Sequence, residues 1–166
     1  MKKIIYIFAF ILLVSCNGEK PSAFPEEVLN EKLLTLNEES ITFKEVLVKH
    51  KGKKIMFELC ASWCAECISG IPKIKKLKAK YPDVVFVFLS IDKTIPQWKK
   101  GIERFFNIEG EHYFMPSALK GGYAKGFDIK DIPSYMVVNE LGITALANVA
   151  ESDDPRIEAA LKIKYK

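Results

Sequence analysis

Histidine is almost missing: the 166 residues include only His50 and His112, each standing alone. Neither belongs to a ligand pair at zinc or haem spacing, and no second C-x-x-C is present to complete a four-sulfur site. Also missing is an apolar run long enough to span a bilayer, which takes about 20 residues; the longest, Ile4 to Val14, falls well short. Neither sign of charge dominates, with 25 Lys and Arg against 21 Asp and Glu, two of those lysines being Lys2 and Lys3. With no arginine-rich stripe and no interleaved base-stacking aromatics, nothing marks a nucleic-acid-binding face. Internal repeats and low-complexity segments are absent as well. What remains is material for one core, because 49% hydrophobic residues in a chain of this length fill one ordinary domain and not two.

The four cysteines divide into two groups. Cys16 follows Met1-Lys2-Lys3, the apolar run and Ser15, a basic region, a hydrophobic region and a small residue in the order of an export signal. Leu13-Val14-Ser15-Cys16 resembles the lipobox of bacterial lipoproteins, which implies a signal peptide over residues 1–15 and a lipid on Cys16. The alternative is an uncleaved anchor helix with an idle thiol; both put the protein on a membrane. Cys60, Cys64 and Cys67 lie within eight residues of one another, too close to staple a large domain. Outside the cytosol such clustering points to chemistry.

Residues 16–39 are polar and broken by Pro21 and Pro25, and read as a tether with one peripheral helix around Val28, Leu29, Leu33 and Leu34. The domain proper is expected over 40–166. Ile55-Met56-Phe57-Glu58-Leu59 is a compact apolar run after a glycine turn, the expected first core strand. After Cys64, Ile68, Ile71, Ile74, Leu77 and Tyr81 recur at helical spacing around Pro72, with lysines on the remaining surface. Most such lysine runs are simply solvated. Val84 to Leu89 is continuously apolar, as in a strand covered on both faces. Pro96 to Phe106 reads as a helix capped by Thr94, and Ser117 to Phe127 as a short glycine-interrupted one. Ser134–Asn139 and Ile143–Asn148 flank a Glu-Leu-Gly turn as a hairpin, and Asp153-Asp154-Pro155 opens a last helix. This alternation predicts a three-layer α/β/α domain with a mixed central β-sheet.

Cys64-Ala65-Glu66-Cys67 stands at the junction of the first core strand and helix. A helix start directs backbone amides and partial positive charge at the first sulfur, favouring its thiolate. Cys64 is therefore the candidate nucleophile and Cys67, one turn on, the candidate resolving thiol. Half of a zinc site has the same spacing, so metal binding stays open as an alternative. Glu58 is a carboxylate inside a strand expected to be covered on both faces, which is unfavourable unless it has a partner or a task; the alternative is a side chain turned to solvent at a strand end.

The stretch Phe57-Glu58-Leu59-Cys60-Ala61-Ser62-Trp63-Cys64-Ala65-Glu66-Cys67 resembles the active-site segment of thioredoxin-like proteins. From about Ser40 onward the chain is most similar to their membrane-anchored TlpA and ResA branch. The resemblance implies a thioredoxin-like fold, a redox-active Cys64–Cys67 disulfide with no further cofactor, and a cis bond at Ile132-Pro133 facing it. It implies that the Ile132 backbone receives an extended substrate strand, and that Glu58 takes the proton of Cys67. Trp63, beside the nucleophile, would shield the disulfide and touch substrate, whereas Trp98 and Tyr135 are expected in the core. The implied partners are protein thiols and disulfides and a membrane electron donor.

The chain departs from the family pattern at three places. Glu66 replaces the usual proline, and a carboxylate there disfavours the Cys64 thiolate and favours a reducing couple. Cys60 replaces an aromatic and is expected to pack as a small hydrophobe, the alternative being a third redox thiol. Gly70 stands where ResA-type proteins carry glutamate, which argues against a specific part in cytochrome maturation. A thiol peroxidase would need proline and a hydroxyl residue where Phe57 and Ala61 occur. From other classes, a copper-binding lipoprotein using Cys64, Cys67 and a histidine, or a binding lipoprotein with idle cysteines, remain alternatives.

Overall fold

Ile55–Cys60 is buried at every position, as the unbroken apolar run requires, and its alternate side chains enter two different cores. Ile55, Phe57 and Leu59 face one side, with Met56 and Cys60 on the other, the period-two geometry of a strand. The computed structural model describes residues 24–164. The leader and Cys16 lie outside them. Within them the order is α1 (Glu26–Leu29), β1 (Lys32–Leu34), β2 (Ser40–Thr42), α2 (Phe43–Lys49), β3 (Ile55–Cys60), α3 (Ala65–Lys80), β4 (Val85–Ser90) and α4 (Ile95–Arg104). Then follow β5 (Glu111–Phe114), a 3-10 turn (Ala118–Lys120), α5 (Gly122–Gly126), β6 (Ser134–Val138), β7 (Thr144–Val149) and α6 (Pro155–Lys162).

The strands form one sheet in the order β2-β1-β5-β4-β3-β6-β7. β3, β4 and β5 run parallel, while β6 pairs antiparallel with β3 and β7 with β6. One core holds residues of α1, α2 and α5 against the sheet, and the other holds residues of α3 and α6. This is the expected α/β/α arrangement with a mixed sheet. No described helix is long and apolar enough to cross a membrane.

The expected helix caps form. Thr94 accepts a bond from the Gln97 amide and Asp154 from the Arg156 amide, satisfying donors that the first helical turn leaves open. α3 runs through Pro72 to Lys80 and buries Cys67, Gly70, Ile71 and Ile74. Its lysines lie outward, and Lys73 and Lys80 meet Asp153 and Glu158 at 2.8 and 2.5 Å.

One expectation is corrected. Residues 24–39 are not part of a tether with one peripheral helix, because Leu33 and Leu34 lie in strand β1, between β2 and β5. Phe24, Val28 and Leu33 are buried in the core shared with α2 and α5. The apolar spacing there is satisfied by a turn of helix and then a strand. Strand β5 is not announced by the sequence, because its first half is polar. Glu111 faces Lys49 at 2.6 Å and accepts from the Tyr113 hydroxyl at 2.7 Å, and His112 stacks on Phe88 with ring centroids 4.8 Å apart.

Candidate active site

The cysteine motif sits on the loop that leaves β3 at Cys60 and turns into α3. Asp92, just beyond the end of the neighbouring strand β4, fixes that loop. Its carboxylate accepts from the Ser62 amide at 3.1 and 3.2 Å, from the Ser62 hydroxyl at 2.7 Å and from the Ser90 hydroxyl at 2.8 Å. A buried carboxylate with this many donors is satisfied and rigid. It sets the position from which Trp63 and Cys64 project.

Cys64 is the N-cap of α3, and its sulfur accepts from the Cys67 amide at 3.1 Å. The two sulfurs stand at disulfide distance, with Cα atoms 5.3 Å apart. Opposite them the Ile132–Pro133 peptide is cis, and the Ile132 carbonyl oxygen lies 3.8 Å from Cys64 Sγ. A Glu66 carboxylate oxygen lies 3.9 Å from the same sulfur. Helix terminus and Glu66 thus act on Cys64 in opposite senses, the first favouring a thiolate and the second opposing it.

Cys64 is 4% exposed and Cys67 0%, and Ile132 packs against the core that holds both cysteines. Trp63, at 53% exposed, offers the open apolar surface beside them.

Glu58 lies on the same sheet face as the pair and is 2% exposed, so it does not turn to solvent. It accepts from the Tyr135 hydroxyl at 3.3 Å, and its second carboxylate oxygen has no donor among the described residues. Burial pushes its carboxyl up to about 8, against a smaller lowering by Tyr135. Glu58 is therefore mostly protonated at neutral pH and able to exchange its proton there. Cys60 is buried, and burial, followed by the charges of Glu58 and Asp92, raises its thiol well above the ordinary range. That favours packing over reactivity.

Cys64, Cys67, Trp63, Ile132 and Pro133 thus gather at one end of the sheet, with Glu58 behind them. Among the described residues, no group of three or more His, Cys, Asp and Glu converges as a metal site. Two participants are unmarked in the sequence reading. Asp92 carries a faint signal as a carboxylate two residues after the apolar strand β4. Tyr135 is in the core as expected, but its bond to Glu58 depends on the pairing of β6 with β3.

The family model described as thioredoxin-like matches residues 52–144, a stretch that contains the cysteine pair and Ile132–Pro133. Thioredoxin H8 of Arabidopsis thaliana is 37% identical over 51 residues, 31% of this chain and 34% of that protein. The chain thus spans about a third of this curated relative. The thioredoxin-like protein YneN of Bacillus subtilis (strain 168) is 23% identical over 120 residues, 72% of this chain and 70% of that one. A solved structure from Bacteroides vulgatus, a candidate thiol-disulfide oxidoreductase, superposes with a TM-score of 0.62 at 26% identity, covering 87% of this chain and 88% of its own.

Proposed function

The chain belongs to the thioredoxin-like family, and on that premise we propose that it is a thiol-disulfide oxidoreductase of the cell envelope that reduces protein disulfides. The observation that carries this reading is the pair Cys64 and Cys67 at disulfide distance on the N-terminus of α3. There the helix favours the thiolate of the first cysteine and buries the second.

In the reduced protein the Cys64 thiolate attacks one sulfur of a substrate disulfide, forming a mixed disulfide and releasing the other substrate sulfur as a thiolate. Cys67 then gives its proton to ionised Glu58 and attacks Cys64 Sγ. The intermolecular bond breaks, the second substrate thiolate leaves, and Cys64–Cys67 becomes a disulfide. Two electrons pass to the substrate, so the cysteine pair is the only carrier this step requires. The Ile132 backbone, 3.8 Å from Cys64 Sγ at its carbonyl, pairs with the extended peptide around the substrate cysteine by strand addition. Trp63 supplies an apolar contact.

Glu66 supports the reducing direction, since its charge beside Cys64 destabilises the thiolate form and lowers the potential of the couple. Export through residues 1–15 and a lipid on Cys16 place the domain on the envelope side of a membrane, in the manner of the TlpA and ResA branch. A membrane donor there returns electrons to the pair. The test is to mix the reduced protein with a disulfide-bonded protein and count thiols. Loss of two thiols from this protein and gain of two by the substrate is expected, with Cys64→Ser silent and Cys67→Ser trapped as a mixed disulfide. Equal activity in wild type and Cys64→Ser would overturn the reading.

A further inference from the structure

Glu58 and Tyr135 are directly opposed across β3 and β6, so their side chains leave the sheet on the same face. Tyr135 reaches the α3 layer at Gly70, one turn beyond Cys67. A Cβ on residue 70 would lie 3.0 Å from the Tyr135 hydroxyl oxygen and 3.2 Å from Ser152 Oγ. The absence of a side chain at Gly70 therefore opens the space into which the phenol fits. Tyr135 and Ser152 are 0% and 6% exposed. Burial, then the charges of Glu58 and Cys60, raise the Tyr135 phenol far above its ordinary range, so it remains an O–H donor at every working pH.

We propose that Tyr135 is a positioning residue for proton transfer at Cys67: its hydroxyl, seated in the space left by Gly70, orients Glu58 and stabilises its carboxylate form. The proposal rests on the reading of Glu58 as acceptor of the Cys67 proton. Tyr135 supplies the one hydrogen bond that Glu58 receives from a described residue, and a donor to a carboxylate favours ionisation. The other titratable groups on this side of the sheet are Cys60 on the strand of Glu58, Cys64 and Cys67 at the start of α3, and Asp92, whose charge acts on Cys60. His112 on β5 is one strand further off, stacked on Phe88 and bonded to the Ile108 carbonyl. None of these donates to Glu58.

The test uses the full chain and Tyr135→Phe, which keeps the ring and removes the hydroxyl. The first readout is the carbon-13 NMR titration of the Glu58 carboxyl in the oxidised protein, which needs no turnover. Its midpoint should move upward by about one pH unit in the variant, the size expected for losing one hydrogen bond to a charged group. The second is the release of the second aryl thiol from a chromogenic aryl disulfide, the step that reports attack by Cys67. At pH 7 that release should slow several-fold, and its pH profile should shift alkaline with the Glu58 midpoint. In a Glu58→Gln background Tyr135→Phe should leave the release rate unchanged, since the hydroxyl acts through the carboxylate.

An unmoved Glu58 midpoint would overturn the proposal and leave the oxidoreductase reading standing. So would slowing by Tyr135→Phe that is the same in the wild-type and Glu58→Gln backgrounds, which is what a purely structural role of Tyr135 would give. Wild-type protein that releases no second thiol would sink the oxidoreductase reading instead, and the carboxyl titration would still decide what the hydroxyl does to Glu58.

Discussion

Two buried glutamates on opposite faces of the sheet have opposite surroundings. Glu31, 6% exposed, accepts from the Ser117 hydroxyl at 2.5 Å and the Tyr123 amide at 2.9 Å, one donor for each carboxylate oxygen. It ties the segment between α1 and β1 to the turn and helix around α5. Glu58, 2% exposed, has one longer bond and a second oxygen without a donor among the described residues. Burial is nearly equal, so what separates the two is the number of donors. Glu31, with both oxygens bonded, is a fastener, whereas burial holds the proton of Glu58 to about pH 8, where it can be traded with a thiol. The orphaned oxygen of Glu58 is the kind of local deficit that functional sites carry and packed regions avoid.

The contrast can be broken by mutation, starting with the fastener. Glu31→Ala leaves two donors without an acceptor and should destabilise the protein by about 2–4 kcal/mol, read by equilibrium urea unfolding, while the potential of the cysteine pair stays unchanged. Asp92→Asn turns an acceptor oxygen into a donor facing Ser62 or Ser90, and should cost about 1–3 kcal/mol. Faster hydrogen exchange at the Ser62 amide would locate that loss in the loop. Glu58→Gln should change stability by less than about 1 kcal/mol at pH 6, because the residue it replaces is already protonated. Its larger effect is on pH dependence. The folded protein holds the Glu58 proton up to about pH 8, whereas the unfolded chain releases it near 4.5. Wild-type stability should therefore fall as pH rises from about 4.5 and level off above about 8, and Glu58→Gln should remove that slope. The smallest effect belongs to the lysine face of α3, where Lys75→Ala should stay within about 0.5 kcal/mol of wild type and leave turnover unaltered.

Local signals carried much of this molecule into view. Helix caps at Thr94 and Asp154, the apolar runs of β3 and β4, and the cysteine spacing each express their structure within a few residues. The thioredoxin-like α/β/α architecture followed from their order and from the motif at Trp63-Cys64. What stayed hidden depends on partners distant in sequence. The polar start of β5 is matched by Lys49 and Phe88, which lie elsewhere in the chain, so no local pattern marks it. Leu33 looked like part of a helix because the strands on either side of β1, β2 with Ile41 opposite Leu33 and β5 beyond, were not read as strands. The burial of Glu58 could be argued from its strand, but the donor it meets lies 77 residues away. Asp92 acts on a loop 30 residues earlier. Motifs disclose the reacting atoms, and strand pairing discloses what holds them.

The proposed function requires that Cys64 and Cys67 form a reversible, reducing couple. Its potential can be measured on the protein by thiol trapping in glutathione and dithiothreitol buffers. A value near the thioredoxin range, about −270 mV, is the predicted result. A value near about −120 mV, that of a strong oxidant, would reverse the direction proposed, and no reversible couple at all would contradict the oxidoreductase itself.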